Sequence, residues 1–499
     1  MRLLVGIIIV ISTFQNAFGQ TKKYWSLNFA SESSILAGSV VGGFAENQAI
    51  YYNPAIISES KTDNIGLSGE IIALDFYRAK NAFGNGFHLK NSRLNVVPSY
   101  VSFFLKSKKK PNLSFQVAIL TRDKNDFDIS TSMVGQADIY EEIPGDEKYS
   151  VMYETVLRYS DIWLGAGMAY SLGERFSIGV STFFSIKKLN DKLTKSINII
   201  PSPESVITIT GDSSYFYSNA REINRTKLTN YKLQAKIGVQ YKLPRWSFGL
   251  NVSVPSLLIA GKAYRYREVG FSQIYWETDK GFLPDFILVD SQDDLPAVYK
   301  DPLSVAIGLN YCPQQDKDML GVSIEYFKQI PVYKMVDAEG SIENLSPIPD
   351  QNSSNLDFLS IYYGATNILN LSVGYRKYIN AKLTLLGGFR TDFDYLKNLD
   401  LSETSNAYNN FIKFSWDVFH VTAGARFNVG RHRFIVGAQY STGNEKNSRQ
   451  LADFSPNLSS DNLDLPIENL DESNVSFRYD GIALFFGFIF NFQDKAEIK

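Results

Sequence analysis

Strict alternation of apolar and polar residues is the strongest pattern in this chain. In residues 231–243 every odd position is apolar or aromatic, and every even position is Lys, Gln or Gly. The same alternation occurs in residues 369–376 and 419–428. Because successive side chains of a β-strand point to opposite faces, each of these segments predicts a strand with one apolar and one polar face.

The same reading along the whole chain predicts about fourteen strands, and bacterial single-chain barrels have an even number of strands. The predicted strands span residues 63–77, 93–106, 113–122, 150–171, 175–188, 229–243, 245–260, 302–312, 319–330, 368–379, 382–393, 415–428, 431–442 and 477–492. Six connections are tight turns, at 107–112, 172–174, 244, 313–318, 380–381 and 429–431, and the other seven are long and polar. Short and long connections alternate throughout.

The connection lengths distinguish two classes of β-protein that share this alternation. A sandwich with Greek-key connections distributes its loop lengths between both ends. A barrel in an outer membrane has short periplasmic turns and long extracellular loops. Aromatic residues near the predicted strand ends fit the interfacial girdles of such a barrel: Tyr170, Tyr241, Tyr311, Tyr375, Phe427 and Tyr440. We therefore predict an all-β fold, a transmembrane antiparallel β-barrel of about fourteen strands over residues 63–492 with long extracellular loops.

The last predicted strand, 477–492, is apolar on both faces. Its outward face carries aliphatic and Phe residues, and its inward face includes Phe485. An apolar inward position predicts that the lumen holds an apolar molecule or that a plug packs there. A C-terminal tail, 493–499, follows this strand.

The first 19 residues have the features of a secretory signal peptide. Arg2 provides the positive charge, residues 3–11 form a short apolar core, and Ala17 and Gly19 provide the small residues of a cleavage site. We expect cleavage after Gly19 and export to the outer membrane of a Gram-negative bacterium.

Composition excludes several classes of function. The 499 residues are 44% hydrophobic and 20% charged, the mean hydropathy is -0.14, and no stretch reaches the roughly 18 to 20 apolar residues of a spanning helix. A formal net charge of -2 does not favour a nucleic-acid partner. The single cysteine, Cys312, excludes an intrachain disulfide, and three histidines lack metal-ligand spacing, so no metal or cofactor is expected.

Residues 20–62 do not alternate, yet they are too apolar and rich in glycine to form a simple linker. We predict that this segment is a plug inside the lumen. Within it, Leu36-Ala37-Gly38 and residues 45–55, which end in Asn53-Pro54-Ala55, resemble the N-terminal hatch signature of the long-chain fatty acid transporter (FadL/TodX) family of outer-membrane proteins. Residues 164–180 are similar to a recognisable hairpin of that family.

The resemblance implies a fourteen-strand barrel with an N-terminal hatch that takes up long-chain fatty acids or other hydrophobic compounds. It also implies that the ligand is captured from outside and released through a hatch-gated lateral opening, with Asn53, Pro54 and Ala55 as the gating residues. The chain departs from the family pattern at two places. Ile56 follows the motif where the family usually has Gly, and Gln48-Ala49-Ile50 stands where the family has an Asp-Ala-Ser-type segment.

Inward-facing residues are the candidates for ligand contact. By strand parity, Arg376, Arg426 and Lys236 face the lumen, and each could bind a fatty carboxylate. Phe485 is the apolar candidate. A solvated or ion-paired lumen wall is the alternative interpretation of the three cations.

Three other functions stay open at this stage. A barrel of the same fold could serve as a non-transporting subunit of an outer-membrane secretion or assembly complex. His420 and Thr422 share a strand face, as a lipase pair would, but we predict no enzyme because no residue is available to orient the base. The acidic loop 459–474 could bind calcium or simply be solvated. Expected partners are a hydrophobic ligand, outer-membrane lipids and lipopolysaccharide, and the barrel-assembly machinery.

Overall fold

The computed structural model describes most of the chain after the predicted signal peptide. The described residues are 23–25, 32–44, 46–60, 63–107, 109–140, 145–201, 207–209, 212–214, 217–276, 281–314, 317–339, 343–344, 358–397, 399, 416–448, 450–454 and 475–492. The predicted signal peptide, the C-terminal tail and the acidic loop 459–474 lie outside these residues. No helix among the described residues is long and apolar enough to cross a membrane.

Strands dominate the described chain. In order they are β1 (Asn64–Lys80), β2 (Leu89–Lys106), β3 (Leu113–Ala137), β4 (Glu147–Leu172), β5 (Phe176–Ile200), β6 (Ile207–Ile209), β7 (Asp212–Ser214), β8 (Ser218–Lys242), β9 (Trp246–Ser253), β10 (Leu257–Ser272), β11 (Tyr275–Trp276), β12 (Gly281–Phe282), β13 (Phe286–Pro296), β14 (Ser304–Tyr311), β15 (Met319–Phe327), β16 (Ile330–Val336), β17 (Glu343–Asn344), β18 (Ile361–Ala365), β19 (Ile368–Asn380), β20 (Leu383–Asp392), β21 (Asp417–Val429), β22 (His432–Ser448) and β23 (Val475–Asn491). The helical elements are short: α1 (Glu32–Ile35), α2 (Ala49–Tyr52) and two 3₁₀ helices (Glu46–Gln48 and Pro54–Glu59).

Fourteen of these strands form a closed antiparallel ring. The order around the ring is β1, β2, β3, β4, β5, β8, β9, β14, β15, β19, β20, β21, β22 and β23. The first and last strands close the ring, with pairs running from Asn64↔Asn491 to Lys80↔Ser476. The predicted fold class, an all-β barrel of fourteen antiparallel strands, is confirmed.

Several strands are longer than the alternation predicted. β5 was predicted to end near residue 188, but it extends to Ile200. The reason is an inversion of polarity along the strand. Its outward side chains are mostly apolar up to Ile186 and polar from Lys188 to Asn198, while inward positions such as Leu193 and Ile197 become apolar and buried. The change marks the level at which the outer surface passes from lipid to water.

The ring is irregular in two neighbouring strands. β8 pairs with β9 along one part of its length and with β10 along another, so β9 and β10 form one strand line interrupted at residues 254–256. The next strand line, β13 and β14, is interrupted at residues 297–303. We call these two interruptions together the wall break. Pro255 lies in the first of them, where it cannot donate a ladder hydrogen bond.

Part of the chain packs inside the barrel. One apolar cluster joins α1, α2 and the 3₁₀ helix Pro54–Glu59 to inward side chains of the wall, including Phe485 and Ile435. Two further clusters lie among the strand extensions and the connections between them. Residues 32–60, which we call the N-terminal segment, therefore lie inside the ring of strands.

Candidate functional site

The N-terminal segment is held by its own short-range structure and by the wall. Asn53 is fully buried, and its backbone is extended, at φ -160° and ψ 106°. The residue before a proline favours this conformation, and Pro54 begins the following 3₁₀ helix, where its missing N–H costs nothing.

The side chain of Asn53 joins three pieces of backbone. Its Oδ1 accepts a hydrogen bond from the Ala55 N–H at 3.1 Å, which caps the 3₁₀ helix. Its Nδ2 donates to the carbonyl of Val41 at 2.9 Å, elsewhere in the segment, and to the carbonyl of Val239 in β8 at 3.1 Å. The motif Asn53-Pro54-Ala55 is therefore a junction between the segment and the wall.

Glycines line the wall where the N-terminal segment approaches it. A Cβ atom built at Gly249 would lie 1.9 Å from the carbonyl oxygen of Val41, and one at Gly179 would lie 2.3 Å from the carbonyl carbon of Pro54. Nine consecutive strands of the ring contribute one such glycine each, from β5 to β22: Gly179, Gly238, Gly249, Gly308, Gly321, Gly374, Gly388, Gly424 and Gly437. We call this set the glycine belt. At seven of these positions it allows backbone of the segment to approach the wall closely, and at Gly424 and Gly437 it leaves room for the side chain of Ile35.

The sequence contained a signal for the belt that strand parity alone did not reveal. Gly238, Gly374 and Gly424 stand on the polar faces of the alternating strands, among Lys, Gln and Arg. A glycine at an inward position on one strand has little meaning, but repetition on neighbouring strands indicates a close approach of other backbone.

Four side chains predicted to face a ligand all contact the N-terminal segment. Arg426 Nη1 lies 3.0 Å from both carboxylate oxygens of Glu32 in α1. The guanidinium of Arg376 lies 3.5 Å from the ring centroid of Phe44. Phe485 packs in the apolar cluster of the segment. Lys236 Nζ lies 4.1 Å from the ring centroid of Tyr51 in α2. Their predicted contact with a ligand stays a prediction.

A cavity of about 70 Å³ adjoins the segment at Tyr51. Aromatic rings form part of its wall: Tyr24, Tyr51, Tyr159, Trp163, Tyr299, Phe327, Tyr363 and Tyr395. The ring of Tyr24 is stacked between Phe327 and Tyr395, with centroid distances of 4.4 Å to each. Burial raises the pKa of Tyr51 to about 12, so its hydroxyl stays protonated at neutral pH.

Charged side chains form much of the rest of the lining, and most of them are paired. Lys187 lies 3.4 Å from Asp161 and 3.6 Å from Asp301, and Lys232 contacts the other carboxylate oxygen of Asp301. We call these four residues the ion cluster. The ammonium of Lys187 also lies 3.5 Å from the ring centroid of Tyr299. A polar and aromatic lining of this kind suits an amphipathic molecule better than a pure hydrocarbon.

Lys236 differs from Lys187 and Lys232, the other two buried lysines of the cavity. Among the residues that the structure describes, no carboxylate forms an ion pair with its ammonium, which rests on the face of Tyr51. Glu325 shares the same cavity, but its two oxygens accept hydrogen bonds from Trp25 Nε1 and Ser304 Oγ, each at 2.6 Å. Lys236 thus presents a positive charge to the cavity.

The cavity reaches the wall break. Ser253 and Ser304, which flank the two interruptions, and Pro302 within one of them belong to its lining. Hydrogen bonds link the two interruptions: Asp301 N donates to Ser256 Oγ at 2.9 Å, and Ser256 N donates to the carbonyl of Asp301 at 3.4 Å. Asp301 therefore connects the ion cluster to the break.

The lipase pair does not form. Thr422 Oγ1 donates to the carbonyl of Ile35 in the N-terminal segment at 2.5 Å, and His420 Nδ1 lies 2.7 Å from Ser441 Oγ instead. Asp392 Oδ2 is 3.8 Å from His420 Nε2, a base-orienting partner that the sequence did not indicate. Ser441 is only 3% exposed, so its hydroxyl lacks the access that a nucleophile needs.

Solved structures share this architecture. The chain is similar to a deltaS2 mutant of the TodX monoaromatic hydrocarbon channel, with 14% sequence identity and a TM-score of 0.50 over 93% of this chain and 99% of that one. The P. putida toluene transporter TodX and a Pseudomonas aeruginosa FadL homologue are each 12% identical, with a TM-score of 0.49 over 94% of this chain and 99% of theirs. The first likeness shows that the fold is that of a FadL/TodX-type channel, as the resemblance of the motifs implied. A scan against protein-family models and a search of curated proteins find no match.

The glycine belt predicts a position-specific effect of a single methyl group. In Gly388→Ala the new Cβ would lie 2.8 Å from Ala37 Cβ, so the N-terminal segment must shift, at a cost of about 1–3 kcal/mol. We expect faster hydrogen exchange and faster proteolysis in residues 32–44. Gly387→Ala is the matched control on the same strand, because its Cβ meets only the Thr422 carbonyl oxygen, at 3.4 Å. Equal protection in the two variants would contradict the belt.

The Arg426–Glu32 pair gives a second prediction. Both side chains are buried, so Arg426→Met leaves the carboxylate of Glu32 without this cation and destabilises the protein by about 3–5 kcal/mol. The double variant E32M/R426M should recover most of that loss, since neither charge is then buried. Urea unfolding in detergent measures both. A double variant as unstable as R426M would show that the pair itself is not the cause.

Proposed function

We propose that the protein is an outer-membrane channel for hydrophobic and amphipathic small molecules, long-chain fatty acids included, and that the N-terminal segment is its hatch. The observation that carries the proposal is the position of the cavity. It lies between the segment, at Tyr51, and the wall break, at Ser253 and Ser304.

A filled lumen favours a sideways route over a straight one. The N-terminal segment meets backbone of the wall at the glycine belt, which leaves no room there for a long apolar solute. At the wall break the outer surface is apolar, since Leu257, Leu258 and Ile259 are 38–66% exposed. An apolar solute that leaves the cavity at this point enters lipid and never crosses an aqueous channel, which is the favourable path for it.

The hydrogen bonds of Asn53 and Asp301 supply a mechanism for gating. A ligand that displaces Tyr51 moves α2, and Asn53 directly follows that helix. Movement of Asn53 breaks its bonds to Val41 and Val239 and loosens the segment from β8. A ligand that competes for Lys187 or Lys232 weakens their hold on Asp301, and so on the break. Closure and opening then differ by a small set of exchanged hydrogen bonds and ion pairs.

Lys236 is the proposed contact for the anionic end of an amphipathic ligand. A carboxylate placed beside its ammonium would form a charge-assisted hydrogen bond in a site of low water content. The aromatic rings of the cavity would then accept the first carbons of the chain. Arg376 and Arg426, which the sequence also suggested as ligand contacts, contribute in this proposal by holding the hatch in place.

The hatch motif gives the first test of transport. Pro54→Ala frees the backbone at the first residue of the 3₁₀ helix, so the junction at Asn53 loses part of its rigidity. We expect uptake of labelled oleate by whole cells to fall at least severalfold while the surface level of the protein stays unchanged. Pro244→Ala, in an exposed tight turn, is the control and should transport normally. Unchanged uptake in P54A would favour the alternative, a non-transporting subunit of a secretion or assembly complex.

Lys236 gives a test of ligand chemistry. In Lys236→Met the cavity keeps its shape but loses the charge, so we expect oleate affinity to fall about tenfold. Affinity for oleyl alcohol, which lacks the carboxylate, should change less than about twofold. Tryptophan fluorescence of the purified protein in detergent measures both, and Lys227→Met, an exposed cation on the same strand, is the control. Equal losses for acid and alcohol would count against a carboxylate contact at Lys236.

A further inference from the structure

Five exposed cations stand together on the outside of the barrel, away from the cavity. Four neighbouring strands contribute them, β2, β1, β23 and β22. The set consists of Lys90, Arg78, Lys80, Arg478 and Lys446. We call it the basic cluster, and none of its residues takes part in the proposed transport.

Strand register places these cations in two adjacent rows. Arg78 pairs directly with Lys90 on one side and with Arg478 on the other, so three cations follow one another across three strands. Two residues further along the strands, Lys80 and Lys446 both pair with Ser476 from its two sides. Since neighbouring strands lie about 4.8 Å apart, each row spans about 10 Å.

The rows begin where the lipid-facing surface ends. On β1 the outward side chains Leu74 and Phe76 are apolar and exposed, and Arg78 is the next outward residue. On β23 the last outward aliphatic residue is Ile482, which pairs with Tyr440 of β22. Arg478 follows Ile482 by four positions, or about 10 Å along the membrane normal for a strand tilted by about 40°. This is the level of the outer-leaflet headgroups.

Among the residues that the structure describes, which leave out the acidic loop 459–474 between β22 and β23, the carboxylate that pairs with cations of the cluster is that of Asp480. Asp480 accepts from Arg78 Nη2 at 2.9 Å and from Arg478 Nε at 2.8 Å, so one carboxylate serves two guanidinium groups. On the neighbouring strand β3, Asp126 lies 3.3 Å from Arg93 and 3.5 Å from Lys124. Like charges directly opposite each other on a sheet repel, so an anion from outside would stabilise a row of three cations.

We propose that the basic cluster binds the phosphate groups of an outer-leaflet glycolipid. Guanidinium groups match phosphate oxygens in a bidentate fashion, and the lysines add charge around them. The apolar residues directly below, Leu74, Phe76 and Ile482, offer a surface for the acyl chains of the same molecule. A ligand with phosphate above and acyl chains below fits both surfaces, whereas a free phosphate ion uses only the first. The inference requires an outer-membrane barrel but not transport.

Binding of diphosphorylated lipid A to the full-length protein in detergent tests the assignment. Native mass spectrometry gives the affinity, with enzymatically dephosphorylated lipid A as the second ligand. We expect the wild type to bind the phosphorylated form at least about tenfold more tightly. The double variant R78Q/R478Q should lose about tenfold or more of that affinity. The control K188Q/K227Q removes two exposed strand cations elsewhere and should bind like the wild type.

A second variant shows whether weaker binding results from misfolding, because Arg78 and Arg478 also pair with Asp480 in the fold. K80Q/K90Q/K446Q leaves that contact intact, should keep the heat-modifiable gel migration of a folded barrel, and should also weaken lipid A binding. Equal affinity for the two forms of lipid A, equal loss in the control, or unchanged binding in both cluster variants would overturn the proposal. Displacement of lipid A by millimolar inorganic phosphate would identify a free-ion site and overturn the lipid assignment.

Discussion

The structure depends on the close contact between the N-terminal segment and the glycine belt. A closed ring of fourteen strands satisfies its own backbone hydrogen bonds, but it leaves a lumen that something must fill. Here the N-terminal segment fills it, largely with backbone, and it comes within contact of the wall because nine strands in succession have glycine at that level. The positions of Tyr51, Lys236 and the cavity follow from that contact, because the residues before and after α2 both pack against the glycine belt. The absence of side chains at the glycine belt therefore determines where the site lies.

The fold was predictable from the sequence because the side chains of a lipid-facing strand alternate between an apolar outward face and a polar inward face. Period-two alternation found all fourteen strands of the ring, and connection length separated its two ends. The strand extensions were underestimated because the rule reverses above the membrane. In β5 the residues beyond Lys188 still alternate, but the buried face is now the apolar one. A search for strands with an apolar outward face therefore stops at the level where lipid gives way to water, although the strand itself continues beyond that level.

The site was predictable in part, since parity shows which way a side chain points but not what it meets. Arg426, Arg376 and Lys236 contact Glu32, Phe44 and Tyr51, and these partners come from a segment without periodicity. The ion cluster escaped prediction for a related reason: Asp301 lies in an interruption of a strand, where parity has no meaning. The motif Asn53-Pro54-Ala55 was found by its resemblance to the family motif, and the structure adds the hydrogen bonds by which Asn53 joins the segment to the wall.

The contact between Glu32 and Arg426 joins residues 394 positions apart. The segment that occupies the lumen is synthesised first, while the strands that enclose it are completed last. During biogenesis α1 therefore lacks its partner strands until β20 to β22 are in place, although the 3₁₀ helix Pro54–Glu59 can already pack on β4, β5 and β8. Contacts of such long sequence separation form slowly, so the interval is substantial. Whatever escorts this chain to the membrane must shield α1 as well as the lipid-facing strands, and the filling of the lumen is completed only when the ring closes.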